Sequence, residues 1–338
     1  MRKLGDSTRR KAKAIGLFSG GLDSILATCL LAEQSVEILL LHFLMPWQTE
    51  SEDGVRAGRM AEQLGQPLEY LSLEDDYIAM LKDPAHGYGK NFNPCIDCHI
   101  FMLRRARERM EELGAVLVFT GEVLGERPMS QRRPVLDIIE QESGLNGRLL
   151  RPLSAKLLPE TIPEKDGLIE REKLLDISGR NRKPQLDLAK KYGIIDFPAP
   201  GGGCLLTDRG YARRVKESLI HGEETIRHFR LLRLGRHFRL KSGAKAVVGR
   251  NQQENEKLTE LAERGEILVE PTVVMGPTLL LLHIQNLSED IDLAVNLCAG
   301  YSDACGPISV KYWYAGEERF QEMTSGAIEE SMLKSMHV

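Results

Sequence analysis

The chain has 338 residues, 42% of them apolar and 28% charged, with 45 Lys and Arg against 49 Asp and Glu for a formal charge of −4. That length allows two or three domains with real cores, and the overall charge argues against a generic polyanion binder. No apolar stretch approaches the ~18 residues of a membrane span, and no apolar signal core follows the basic start of the chain. The six cysteines, at 29, 95, 98, 204, 298 and 305, are too sparse for a disulfide-stapled secreted domain, so a reducing, cytoplasmic setting is expected.

Residues 1–11 read as a solvated basic tail. Residues 12–18 read as a buried strand, followed by a Gly-rich loop and a helical run over 24–33. Strand patterns recur at 36–43, 68–73 and 116–120, with helical patterns at 54–64 and 100–113. This alternation predicts an α/β domain over 12–150, built on a doubly wound parallel sheet covered on both faces. Pro152, Pro159 and Pro163 interrupt the rhythm across 148–163, which reads as a crossing segment. Helical patterns return at 170–177 and 183–192, and the Pro/Gly run 197–203 is expected to be a loop of special geometry. Residues 151–208 are taken as an extension of the first domain. Beyond it, helices alternate with short apolar runs at 246–248, 267–269 and 279–284, which predicts a separate α+β domain over 209–338.

The segment Ser19-Gly20-Gly21-Leu22-Asp23-Ser24 falls between the first strand and the first helix. In a parallel sheet this is where free helix N–H groups meet anions. The glycines allow close backbone approach and positive φ, and the serines add donors. Asp23 would repel bound phosphates unless a divalent cation lay between them, so Mg2+ is expected. The segment lacks the Lys of a Walker loop and is no Gly-x-Gly-x-x-Gly turn. It resembles the signature of the PP-loop ATP pyrophosphatases, which cleave ATP to AMP and pyrophosphate to activate a carbonyl oxygen. The resemblance implies an adenine nucleotide alpha hydrolase-like fold with ATP as cofactor. It also implies that His42 and Phe43 flank the adenosine, with Gly121 and Glu122 on the same rim.

Asn93-Pro94-Cys95-Ile96-Asp97-Cys98 precedes a helix, whose N-terminus would lower the pKa of a thiol there, and Cys204 follows three glycines. Spacing alone admits a redox pair, half a zinc site or part of an iron–sulfur site. Together with the phosphate loop, these cysteines resemble those of the tRNA thiolation enzymes: the 2-thiouridylases, 4-thiouridine synthetases and 2-thiocytidine enzymes. There the cysteines face the ATP site and carry either persulfide sulfur or a [4Fe-4S] cluster held by three of them. Three candidates suit an open iron better than a closed zinc site, so Cys95, Cys98 and Cys204 are expected to hold a cluster. Persulfide chemistry and structural zinc stand as alternatives. Cys29 reads as core, and Cys298 and Cys305 as buried thiols. Leu22 and Glu122 depart from the 2-thiouridylases, which carry Val and His there.

Arg132, Arg133, Lys156, Arg180, Arg182 and Lys183 are basic points on loops, suited to RNA or simply to solubility. Residues 211–250 interleave eleven Lys and Arg and only three Glu with Tyr211, Phe229 and Phe238, as a phosphate-tracking surface would. A basic helix face would give the same count. Residues 235–315, with Gly249-Arg250-Asn251, Glu254-Asn255 and Gly276-Pro277, resemble the NFACT RNA-binding domain. The reading is therefore an ATP-dependent tRNA sulfurtransferase that adenylates a uridine or cytidine carbonyl and replaces its oxygen with sulfur. Its partners would be tRNA and a sulfur donor, either a cysteine desulfurase or inorganic sulfide, with no membrane; a homodimer is compatible. Two other readings are a PP-loop amidotransferase or ligase acting on a small molecule, and a non-catalytic RNA-binding protein. The first leaves the three cysteines unexplained.

Overall fold

A computed structural model describes residues 12–197, 204–303, 306–326 and 330–338. The tail 1–11, most of the Pro/Gly run (198–203) and Cys305 lie outside the described residues. The chain divides into two units, Met1–Thr207 and Asp208–Val338.

The first unit runs β1 (Lys13–Leu17), α1 (Leu22–Ala32), β2 (Glu37–Leu44), a π turn (Glu50–Gly54), α2 (Val55–Gln63), β3 (Leu68–Ser72), α3 (Asp75–Lys82), α4 (Cys95–Glu112), β4 (Leu117–Phe119), α5 (Arg133–Glu142), β5 (Leu149–Leu150), α6 (Ile162–Lys165) and α7 (Lys183–Lys191). Its sheet has the order β3-β2-β1-β4-β5, and every pairing is parallel. The chain moves outward through β2 and β3, then returns to add β4 on the other side of β1. The ends of β1 and β4 therefore flank a switch point, where such sheets bind ligands. Helix α1 is apolar nearly all round because two layers cover it. Ile25, Ala27 and Leu31 join the core that includes Ala14 and Leu40 of the sheet, and Leu22, Leu26 and Leu30 pack with Leu153, Ile177 and Ala189 of the following segment.

Three stretches differ from their sequence pattern. The expected helix over 170–177 is only a 3-10 turn at Arg171–Lys173. Beyond it the Leu175 N–H donates to the Pro152 carbonyl at 3.0 Å and the Ile177 N–H to that of Leu153 at 2.8 Å, so inter-segment pairing replaces the helical ladder. The crossing segment opens with strand β5, whose two residues are too few to show a period. Helix α4 starts at Cys95, immediately after Pro94, five residues before the apolar pattern begins.

The second unit runs α8 (Arg209–Ile220), α9 (Ile226–Leu231), β6 (Arg236–Arg239), β7 (Lys245–Val248), α10 (Gln252–Leu261), β8 (Ile267–Pro271), β9 (Leu279–Leu282), α11 (Leu287–Gly300), β10 (Ser309–Tyr314), β11 (Gln321–Thr324) and α12 (Glu330–Met336). It is an α+β unit on an antiparallel sheet of order β11-β10-β8-β9-β7-β6. Alternate residues serve two cores. Ala246, Ile267, Leu279 and Leu281 face the core containing Ile291 and Val295 of α11. Val247, Leu268, Leu280 and Leu282 face the one containing Leu231 and Leu258. Burial on both faces explains why these strands read as unbroken apolar runs. Among the described residues, no helix is long and apolar enough to cross a membrane.

Gly16 shows how tightly the first sheet is filled. A Cβ there would lie 2.3 Å from Phe119 Cζ and 2.9 Å from Leu40 Cδ2. Gly16→Val is expected to destabilise the protein by about 1–3 kcal/mol, seen as a lower urea midpoint; an unchanged midpoint would mean that Phe119 simply moves aside.

Candidate active site

A cavity of about 420 Å3 opens at the switch point, lined by Ser19, Gly21, Asp23 and Ser24 after β1, His42 and Phe43 of β2, and Thr120, Gly121 and Glu122 after β4. This volume suits a small-molecule ligand. Gly20 has φ +70°, and a Cβ on it would lie 3.1 Å from Ala57 Cα, so the turn needs glycine. Gly121 is required for another reason: its Cβ would lie 2.5 Å from the Asp23 carbonyl carbon and the Ser24 nitrogen. The end of β4 thus rests directly on the first turn of α1. That helix has no side-chain cap, because its N-cap residue is Gly21; the Ser24 hydroxyl donates to the Gly21 carbonyl at 2.8 Å, and the first-turn N–H groups stay available to an anion.

Asp23 Oδ2 lies 3.8 Å from Arg182 Nη2, while Oδ1 is buried without a hydrogen bond. Burial pushes this carboxyl up, against the opposing pull of Arg182, the Gln185 amide and Arg127. Glu126, on the same cavity wall, is raised by burial and then by the Asp23 charge. An orphaned carboxylate oxygen beside a second carboxylate is a donor set that a divalent cation would satisfy. His42 Nδ1 lies 2.8 Å from the Phe18 carbonyl, to which it donates, and its Nε2 is buried and unpartnered. Burial holds its pKa down, so the ring presents a neutral acceptor.

Cys95 is the first residue of α4, and the Asn93 amide donates to its Sγ at 3.1 Å. Cys98, one turn on, is buried and accepts from the fully buried Tyr77 hydroxyl at 3.4 Å. Burial pushes the Cys98 thiol up to about 12, with Cys204 and Cys95 adding to the rise. Cys204 keeps solvent access on one side, yet desolvation by its surroundings pushes it up to about 11. The lowering expected from the helix N-terminus is therefore overturned at Cys98, because burial against Tyr77 outweighs the helix field. The structure brings the three thiols within one another's electrostatic range. Among the described residues, no three His, Cys, Asp or Glu converge as the ligands of a single ion. Arg127 is exposed and lines the cavity together with Asp23 and Glu126.

Between the cavity and the thiols lies a buried polar knot that the sequence does not announce. Glu122 accepts from His99 Nδ1 at 2.8 Å, Arg151 Nε at 3.0 Å and the Thr120 hydroxyl at 3.1 Å. Arg151 also donates to Glu140 and to the Leu136 carbonyl of α5. His99 directly follows Cys98, and that adjacency was the one available hint.

The basic points separate. Arg182 belongs to the cavity with Asp23. Arg133 opens α5 and pairs with Asp137 at 3.1 Å, and Lys156 donates to the Glu172 carbonyl at 2.8 Å. Arg132 and Arg180 are exposed, and Lys183 begins α7. Cys298 is fully buried, and Cys29 half-buried in the core.

The knot has a pH signature. Burial alone would raise the Glu122 pKa, but Arg151 and then His99 overcome it and hold the group at about 2, below its ordinary 4.5. A depressed carboxylate pKa stabilises the fold above about pH 4.5, and this contribution is lost as pH falls toward about 2. Glu122→Gln should flatten the acid limb of the stability curve in that window. Arg151→Met should cost about 3–5 kcal/mol at pH 7, because it strands a buried charge. Parallel acid limbs for wild type and Glu122→Gln in chemical denaturation would contradict this account.

Residues 10–157 match the family model described as thiamine biosynthesis protein (ThiI), and residues 235–335 match the NFACT protein RNA binding domain. A curated probable tRNA sulfurtransferase of Methanothermobacter thermautotrophicus is 25% identical over 198 residues, 57% of this chain and 44% of its own length. The chain thus spans less than half the length of this relative. Among solved structures, the U34-tRNA thiolase NcsA of Methanococcus maripaludis with its [4Fe-4S] cluster aligns over 68% of this chain and 76% of its own, at 17% identity and a TM-score of 0.32. A predicted subunit of tRNA methyltransferase from Methanocaldococcus jannaschii aligns over 53% and 76%, at 15% identity and a TM-score of 0.33. By sequence, residues 10–157 are thus similar to the ThiI family model and residues 235–335 to the NFACT RNA-binding domain.

Proposed function

We propose that the protein is a cytoplasmic ATP-dependent tRNA sulfurtransferase. The observation that carries this reading is His99, which lines the cavity together with Asp23 and Glu122, bonds to Glu122 at 2.8 Å and directly follows Cys98 in the first turn of α4, so that the cavity and the Cys95–Cys98 turn share one wall. ATP would lie with its phosphates on Ser19, Gly20, Gly21 and Ser24 and its adenosine beside His42 and Phe43. The unpartnered Nε2 of His42 offers an acceptor for a ligand N–H or O–H. Asp23, with Glu126 beside it, would hold Mg2+ against the phosphates.

The carbonyl oxygen of a uridine or cytidine base would attack the α-phosphorus, and pyrophosphate would leave. A hydrosulfide then adds to the activated carbon and loses its proton, and the carbon–oxygen bond breaks to release AMP with the former carbonyl oxygen. Cys95, Cys98 and Cys204 would hold a [4Fe-4S] cluster, which when bound supplies an iron not ligated by protein. The Tyr77 and Asn93 side chains, already donating to Cys98 and Cys95, would steady the ligand sulfurs. The hydrosulfide would come from inorganic sulfide, or from the persulfide of a cysteine desulfurase after a second thiol reduces it by two electrons and is left as a disulfide.

Cys204→Ala is expected to abolish thionucleoside formation in tRNA from a complemented deletion strain, and to lower the iron content of protein purified without oxygen. Asp23→Asn should instead retain iron but reduce tRNA-dependent pyrophosphate release by roughly 100-fold. Normal thionucleoside levels in the Cys204→Ala strain would refute the assignment. Activity in iron-free protein would shift the chemistry to a cysteine persulfide.

A further inference from the structure

In the basic stretch of the second unit, several cations are held in ion pairs. Arg227 pairs with Glu266 and Glu263, Arg239 and Lys245 with Glu217 and Glu223, and Arg250 with Glu254. These cations are neutralised within the unit. Arg213 and Arg214 of α8 and Arg236 of β6 have no ion pair among the described residues.

These three gather at one place. The Arg213 guanidinium donates to His337 Nδ1 at 3.3 Å. Residue 337 bridges to Phe238 of β6, whose ring meets the imidazole edge-on at 5.4 Å. The Arg236 guanidinium lies 4.8 Å from the centre of the Tyr301 ring, which itself packs on Phe238 at 5.8 Å. Arg214 donates its Nε to the Leu232 carbonyl at 2.9 Å and stands over Tyr211 at 5.8 Å. Burial, then the charges of Arg213, Arg214 and Arg236, push the His337 pKa down. Burial also lowers that of Arg214, and Arg250 and Arg213 repel it while Tyr211 and Asp208 give partial relief.

Bringing like charges together beside aromatic rings is unfavourable unless something supplies the missing negative charge. The rings orient the guanidinium groups without neutralising them. Each guanidinium offers a planar fork matched to phosphate oxygens. Because His337 Nδ1 accepts from Arg213, its hydrogen sits on Nε2, which adds a further donor at this exposed residue.

We propose that Arg213, Arg214 and Arg236, gathered around His337, form a binding site for backbone phosphates of RNA. This inference rests on the proposed reading that the substrate is tRNA, and it names where the second unit grips it. Arg213 and Arg214 precede the segment matched to the NFACT domain, so the site extends beyond that resemblance.

The test measures binding of an unmodified tRNA transcript to the full-length protein over a range of salt concentrations. The variant is the double substitution Arg213→Gln with Arg236→Gln, and the control is Arg264→Gln with Arg319→Gln, which removes the same charge from exposed positions elsewhere on the unit. The variant is expected to bind roughly tenfold or more weakly, with its salt slope reduced by about 0.7–0.9 for each lost contact, while the control keeps the wild-type slope. An unchanged melting temperature establishes that the variant is folded, and Arg213→Lys with Arg236→Lys, which keeps the charge, serves as the second variant and should recover most of the slope. Wild-type affinity and slope in the glutamine variant would overturn the site, as would equal losses in variant and control, which would mean that only net charge matters. Failure of the wild-type protein to bind tRNA would instead overturn the functional reading on which the site rests.

Discussion

The buried contact between Glu122 and Arg151 ties the first unit together. Glu122 stands at the mouth of β4 and Arg151 just past β5, and their charges lie where water cannot screen them. Such a pair is tolerable only when every remaining donor and acceptor is used. Here His99, Thr120, Glu140 and the Leu136 carbonyl complete the set. The knot therefore joins α4, α5 and the ends of two strands. Because His99 is the neighbour of Cys98, it also fixes the first turn of α4, which carries two of the three thiols, relative to the rim of the cavity.

The phosphate loop and the thiols depend on that frame in opposite ways. The loop is open: its glycines remove side chains, and the N–H groups of α1 are left uncapped. The thiols are less open, although Cys204 keeps solvent access. Cys98 is buried beneath Tyr77, and both Cys98 and Cys204 are held far from ionisation. A thiol in such surroundings is inert until something compensates the charge of its thiolate.

In the second unit a similar contrast sorts the basic residues. Arg239 and Lys245 are neutralised by Glu217 and Glu223 and support the sheet from within. The ungrouped charge count gave no way to separate these from Arg213, Arg214 and Arg236. Pairing depends on which carboxylates the fold brings near, and Glu217 and Glu223 reach β6 and β7 only after α8 has docked.

From the sequence alone, the parallel sheet, the glycine turn after its first strand and the separate α+β unit were legible. Each follows from local rules: apolar runs bounded by turns, glycines between a strand and a helix, and a change of rhythm near residue 210. The segment 170–177 misled because its helical spacing is real, but its backbone pairs instead with Pro152 and Leu153, a partner no local rule identifies. The roles of His99, Arg151, Glu126, Arg127 and Tyr77 were hidden for the same reason. A lone polar residue carries no period, and its meaning comes from neighbours distant along the chain. Sequence thus determined most of the elements and the glycine turn at the head of α1, since these are settled within a few residues. Only the tertiary structure decided which charges are buried, which are paired and which thiols share one field, since these depend on contacts between remote segments.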